Sequence, residues 1–432
     1  MLTGEISNIN VLNGDIQKDV ISFLKEEEQI DICPSIYEKE YTPQNNKVFS
    51  KVLVKGVTSD IDKNIKPENI KLGVSILGVE GSADVKQQGS GGKYLVQVID
   101  YDGTVLKEDH LNTGATFTLP NTPTNHERLV FQEWSSPVDI IDNTVTVEDQ
   151  DITIGAVYTT KSGLSEFDIT LTKVTGLSVT LRLDGTKDWG DGTIDTSISH
   201  TYSNYGDYMI TCDGTTMSGK MFNQKSQGNY FCKSIRLTNV SNIYNGAFQY
   251  CRSLKNITIS KNTTSIDRYA FGDCYLLKCV IIPSSVTSMT FYYSFNYCYN
   301  LEKIILPKLN NVTSIGDYSF SYCYSLVSLT IPNNITNIGN YAFTSCYKLK
   351  NIIVPLDLTV INDGTFRYCY SITKYDFTKY TTIPTLAYTG AFNEINALCK
   401  IYVPDELYDE WTVATNWVTY ANYIYKASEM EE

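Results

Sequence analysis

A mainly β, multidomain chain is predicted, with small β-domains followed by a solenoid that carries a parallel sheet on one face and ends in a short helical C-terminal cap. Three observations predict it. One phrase (Phe, two residues, Cys, two residues, Leu or Ile) recurs six times, with its cysteines at 251, 274, 298, 323, 346 and 369. That period of 23 to 25 residues marks turns that bury their apolar side only against neighbouring turns. Upstream, between 94 and 213, apolar residues alternate with period two between turn signals. Finally, 432 residues that are 42% hydrophobic suffice for three or four cores.

The elements follow in order. Residues 1–85 are expected to form a particle-attachment and oligomerisation segment, with an amphipathic helix over Asp15–Glu28 that places Val20, Phe23 and Leu24 on one face. A strand is expected at Val52-Leu-Val-Lys-Gly-Val, and Pro67 suits a first helical turn. Residues 86–92, rich in Gly, Ser and Gln, read as a linker. A β-domain over 93–160 opens with Tyr94-Leu-Val-Gln-Val-Ile and turns at Asp102-Gly103. A second β-unit over 161–214 centres on Trp189-Gly-Asp-Gly-Thr and His200-Thr-Tyr. The solenoid spans 215–403. In each rung a strand such as Leu326-Val-Ser-Leu-Thr-Ile ends at a proline, which has no amide proton for the ladder. The cap over 404–432 is read as short helices, with Leu407 and Trp411 on one face and Trp417, Tyr420 and Ile424 on another.

The net charge of −13 argues against a nucleic-acid partner or an anionic membrane surface. No run approaches the roughly 18 apolar residues that a membrane span needs. The opening Met-Leu-Thr-Gly-Glu-Ile-Ser-Asn has neither the basic nor the apolar region of a secretory signal. Either a signal lies outside this sequence, or the protein is assembled inside a cell and released by lysis.

The repeat phrase, close to complete in Ala270-Phe-Gly-Asp-Cys-Tyr-Leu-Leu277 and Ala342-Phe-Thr-Ser-Cys-Tyr-Lys-Leu349, resembles the BspA-like leucine-rich repeat over about 235–403. That resemblance implies a leucine-rich-repeat solenoid of the kind found on bacterial surface adhesins. The rung at Phe392 departs, with Ile395 where Cys is expected. The Trp189-Gly-Asp-Gly-Thr unit is similar to a PKD-type, immunoglobulin-like β-sandwich, shortened or merged. Residues 94–158, with Tyr101-Asp-Gly-Thr-Val and Phe131-Gln-Glu-Trp134, resemble the β-grasp-like internalin B-type repeat. The dense stretch from Ile61-Asp-Lys-Asn-Ile to Gly81 resembles a segment of tail and fibre proteins of phages infecting Gram-positive gut bacteria. It implies a virion protein, assembled in the host cytoplasm and acting outside the cell.

Catalytic equipment is not found. His110, His126 and His200 sit in no recognisable motif, and no Cys-x-x-Cys, G-x-S-x-G or H-E-x-x-H occurs. No enzyme activity, cofactor or metal is therefore expected. Asp191 between two glycines reads as a turn residue rather than a calcium ligand, and the periodic cysteines read as buried thiols. Tyrosine is abundant, 32 against 16 Phe and 4 Trp, which suits recognition surfaces and also suits strands. If Phe-x-x-Cys is a helical turn, the residues two before and two after Phe point outward. Those positions hold Tyr269, Tyr293, Tyr297, Tyr318, Tyr322, Tyr341 and Tyr368, the candidate ligand-binding residues. Tyr at the position after Cys (275, 299, 324, 347, 370) is expected nearer the core, as a stacking stripe. On the sheet face the middle positions Thr258, Ile281, Ile305, Thr330, Ile353 and Asp376 reflect either strand propensity or a shallow apolar groove.

The expected role is a non-enzymatic phage tail fibre or receptor-binding protein. Its β-domains would act as spacers and its solenoid would contact a bacterial surface glycan or protein. Residues 1–85 would bind other virion proteins and form a homo-oligomer, a trimer being favoured, without membrane insertion. The alternatives are a capsid-decorating or mucus-binding virion protein and a bacterial cell-surface adhesin.

Overall fold

Each rung of the repeat begins as a strand because its apolar residues alternate, and it turns inward again at the Ile that closes the next short strand. The computed structural model describes residues 92–430, except 124–125, 174–175, 223–229, 309–311, 333, 353 and 357. It also describes two antiparallel strand pairs nearer the N-terminus, Leu24–Lys25 with Glu28–Gln29 and Ser75–Ile76 with Val79–Glu80. The chain divides into two units, Met1–Gln88 and Gly89–Glu432. In the first, the hairpin at 24–29 replaces the end of the helix expected over Asp15–Glu28; the rest of that helix, the strand at Val52 and the turn at Pro67 lie outside the described residues.

The second unit is mainly β and holds a solenoid of about eight turns with a short helix after it. An eight-stranded sheet runs through it in the order Ile194–Asp195, Lys187–Asp188, Gly206–Cys212, Ser165–Leu171, Cys232–Leu237, Asn256–Ile259, Cys279–Ile281, Lys303–Ile305. The pairing is antiparallel up to Ser165–Leu171 with Cys232–Leu237 and parallel beyond it. Two-residue strands such as Ser265–Ile266 and Asn337–Ile338 build a second wall, and the Phe-x-x-Cys turns build a third. Between the walls every repeat phenylalanine from Phe248 to Phe392 is buried, each ring stacked 5.2–5.7 Å from the next. Burying one such side chain stabilises by about 1.5–3 kcal/mol, so the ladder contributes to cohesion between rungs alongside the buried Leu and Ile of each strand.

The repeat cysteines lie beneath this ladder as buried thiols. From Cys274 to Cys369 each repeat Sγ donates to the carbonyl of the preceding rung's Phe, as Cys274 does to Phe248 at 3.2 Å, Cys298 to Phe271 at 3.2 Å, and Cys369 to Phe343 at 3.1 Å. A small side chain with a weak donor suits a site that must be apolar yet must satisfy one backbone oxygen. At the far end Tyr408–Val413 forms a short α-helix, and Ile424–Lys426 adds a last parallel strand to Lys400–Val403. Trp411, Trp417, Tyr420 and Ile424 are buried there and close the core.

Residues 94–160 form a four-stranded sheet in the order Val105–Leu111, Tyr94–Ile99, Ile152–Thr160, Leu129–Ser135. One face has its own core of Val96, Val98, Phe117, Val145, Ile152 and Ile154. The other lies on the solenoid's long-strand wall, where Ile99 and Val157 pack on Cys279, Ile281 and Ile305. The seam is tied along its length: Lys261 N and Ser284 N donate to Gln132 Oε1 and Glu133 Oε1, and Lys303 Nζ donates to Gln97 Oε1 at 2.9 Å. Thr330 Oγ1 donates to the Asp151 carbonyl at 3.0 Å. This corrects two expectations. Ile281 and Ile305 form no exposed groove, because a second sheet covers them; Ile353 lies outside the described residues. Nor do the β-units stand off as spacers, since one continues the solenoid's sheet and the other covers it.

Candidate functional site

With the sheet wall covered, the turn wall carries the tyrosines. The Phe-x-x-Cys segment is a succession of four-residue turns, not a helical turn: Cys274 N donates to Phe271 O, and Cys323 N to Phe320 O. Amides also bond to the next rung, as Phe271 N does to Ser294 O and Tyr297 N to Ser321 O. The third residue of each turn needs a left-handed backbone, as a type II turn does.

That requirement falls on the candidate residues. Tyr269, Tyr293, Tyr318 and Tyr341 have φ of 57°, 56°, 55° and 54°, and Tyr297, Tyr322 and Tyr368 have 62° or less. The two outer rungs have glycine at the place of the first four, Gly246 and Gly364, with φ of 64° and 60°. Glycine adopts this conformation freely, whereas a bulky side chain costs about 1–3 kcal/mol there. The four inner tyrosines therefore stand in a position that backbone preference alone assigns to glycine.

All seven are half-buried, and six of them stack in two columns. In the first, ring centroids lie 5.1 Å apart for Tyr269–Tyr293, 4.6 Å for Tyr293–Tyr318 and 5.2 Å for Tyr318–Tyr341. In the second, Tyr297 stacks on Tyr322 at 4.7 Å, while Asp273 and Ser345 hold the equivalent places next to them, so Tyr368 does not join that pair. Burial, with neighbouring phenols adding to it, pushes the Tyr293 hydroxyl up to about 12. Burial also raises Tyr269, Tyr297 and Tyr318. The columns thus present uncharged donors along a band of aromatic ring edges, a combination that suits packing on the C–H groups of a sugar or on protein.

The stripe at 275, 299, 324, 347 and 370 is also stacked, at 4.7–5.5 Å, but does not point inward as expected: Tyr347 and Tyr370 are exposed. The helical-turn premise misplaced it, because the segment is a succession of four-residue turns and the residue after Cys already lies beyond the turn that Cys closes. Arg252 occupies the same place in the preceding rung and closes this column, its guanidinium 4.8 Å from the Tyr275 ring and its Nη1 donating to Tyr230 OH at 2.7 Å. The signal for it was present in the repeat, as the Arg among five tyrosines. Beside it burial raises the Asp273 carboxyl.

Gly364 ends the first column. A Cβ there would lie 2.3 Å from the Tyr341 ring, whose hydroxyl donates to Asp363 Oδ2 at 2.6 Å. Gly364→Ala is expected to lower stability by about 1–3 kcal/mol through this clash and the positive φ. A thermal melt checks it; an unchanged Tm would contradict the stacking of Tyr341 on that backbone.

Elsewhere, Asp191 accepts from Thr193 N at 3.0 Å and lies 2.7 Å from His200 Nε2, and His200 stacks on Trp189. These residues close a turn. Among the described residues no three His, Cys, Asp or Glu side chains are grouped to hold a metal, and no helix is long and apolar enough to cross a membrane.

Residues 216–310 and 291–409 match the BspA type leucine rich repeat region, in six copies. No curated protein matches. Among solved structures, a leucine-rich repeat protein from Bacteroides ovatus is 24% identical over 42% of this chain and 52% of its own, with a TM-score of 0.32. The T. pallidum leucine rich repeat protein is 28% identical over 32% of this chain and 63% of its own, with a TM-score of 0.30. A leucine rich cell surface protein from Faecalibacterium prausnitzii is 22% identical over 39% and 59%, with a TM-score of 0.25. This chain spans between about half and just under two thirds of the length of these three.

Proposed function

We propose that the protein is an adhesin-like, non-enzymatic recognition protein that acts at a bacterial surface and uses the tyrosine columns of its turn wall to contact an envelope glycan or protein. The observation that carries this reading is the choice of tyrosine at left-handed positions where the outer rungs have glycine. Such a choice costs backbone energy and returns a continuous aromatic face. The repeat-family match supports an adhesin more than a virion fibre. The fibre reading rests on 61–81, of which only the strand pair at 75–80 is described.

The test exchanges Tyr293, Tyr297, Tyr318 and Tyr322 together for glycine. Alanine would be a strained replacement at positive φ, whereas glycine removes the rings and relaxes the backbone. Binding to whole bacterial cells and to a glycan array is expected to fall at least about tenfold, since each lost aromatic contact is worth roughly 0.5–1.5 kcal/mol. Circular dichroism should still report the folded chain. Equal binding by that folded variant would sink the assignment.

A further inference from the structure

Where the β-domain meets the solenoid, a cleft of about 320 Å³ opens between two apolar flanks, Pro137 and Val138 on one side and Ile331 and Pro332 on the other. Its volume is within the roughly 300–1,000 Å³ of small-molecule sites. The polar groups lining it include Gln150, Glu148, Asp139 and Lys308. Gln150 stands out. It is 7% exposed, its Nε2 donates to Glu148 Oε2 at 3.2 Å, and its Oε1 has no partner. Exchanging the ends of that amide does not cure this, because an oxygen would then face a carboxylate.

The loop cannot readily move to satisfy the orphan, because both neighbours are tied. Asp149 accepts from Thr113 Oγ1 at 2.6 Å and from Lys379 Nζ. Asp151 accepts from Leu95 N at 2.8 Å through its carboxylate and from Thr330 Oγ1 through its carbonyl. A buried acceptor left unpaired costs about 1–3 kcal/mol, which a ligand bringing a donor recovers once the Gln150 side-chain amide turns its sealed oxygen toward the cleft. Lys308 Nζ neutralises Asp139 at 2.8 Å at the edge of the cleft. What remains are two neighbouring acceptors, Gln150 Oε1 and the exposed Glu148 carboxylate, between apolar flanks.

We propose that this cleft is a binding site for a compact polyol, a single sugar ring whose adjacent hydroxyls donate to Gln150 and Glu148 while its C–H faces pack on the prolines. The site lies apart from the tyrosine wall and does not rest on the adhesion reading. Saturation-transfer NMR on the full chain with glucose, galactose and N-acetylglucosamine, and with putrescine as a cationic probe, tests it. Transfer to at least one sugar is expected. It should weaken about tenfold in Gln150→Leu, fall in Glu148→Gln, and persist in the four-tyrosine glycine variant. Gln150→Leu should melt no lower than the natural chain, because it removes an unsatisfied group; the exposed Glu148→Gln guards against a folding defect. No transfer to any sugar, transfer to putrescine alone, or a signal that survives both cleft variants would each overturn the proposal. A signal lost only in the tyrosine variant would also overturn it, by moving the sugar to the other wall.

Discussion

Gly155→Val is expected to pry the 93–160 domain off the solenoid and to cost about 1–3 kcal/mol or more by overpacking. The glycine lies in the strand Ile152–Thr160, and a Cβ on it would meet Ile281 Cγ1 at 2.7 Å and both Cδ1 and Cγ2 at 2.8 Å. Ile281 is branched at Cβ, so rotating χ1 away from one clash brings another branch into it. The seam's hydrogen bonds from Lys261, Ser284 and Lys303 depend on this close approach. Hydrogen exchange should then show lost protection along Ile152–Thr160 and Cys279–Ile281, with the Phe ladder less affected. The decisive comparison is a double-mutant cycle. Ile281→Ala alone leaves a cavity costing about 2–5 kcal/mol. In the Gly155→Val background it instead makes room, so the two changes should be strongly non-additive. Additive effects would mean that the two residues do not touch.

Much of the solenoid was legible because its signals repeat. Phe, Cys and Leu at a fixed period announce a stack, and neither their burial nor the cap of Trp411 and Trp417 needed long-range information. The turn geometry was misread because Phe-x-x-Cys spacing fits a helical turn and a β-turn equally. The corrective clue was local: Gly246 and Gly364 at the ends of a tyrosine series imply a left-handed position. The covered sheet was less legible. Thr330 and Asp151 are 179 residues apart, and no period links them. Gly155 within Ile152-Thr-Ile-Gly-Ala-Val-Tyr158 was the one hint, since glycine inside a strand marks a place where another chain segment approaches closely. The cleft has no sequence signature at all. Its residues come from two domains, and the orphaned Gln150 Oε1 is visible only when both are in place.

Alkaline pH is expected to destabilise the protein far more than a mild acid shift of equal size. Ten described cysteines are buried thiols, and burial raises each of them, to about 12 for Cys279, Cys369 and Cys399. Below the ordinary thiol pKa of about 8.5, folded and unfolded chains both hold these protons and the thiols add no pH dependence. Above it the unfolded chain releases them while the folded chain does not. Stability then falls by up to about 1.4 kcal/mol per thiol per pH unit until the folded pKa is reached. Lys303, whose pKa burial lowers, contributes with the opposite sign, but it is one group against ten. Urea melts under reducing conditions between pH 7.5 and about 9.5, below the ordinary tyrosine pKa of about 10, isolate the effect. Stability should be flat at the lower end and fall steeply at the upper. Cys298→Ala with Cys323→Ala should make the fall shallower by two thiols' share, even though each change weakens the core. A flat profile to pH 9.5, or a slope the double variant leaves unchanged, would mean that the thiols ionise in the folded chain and are not sealed beneath the phenylalanines.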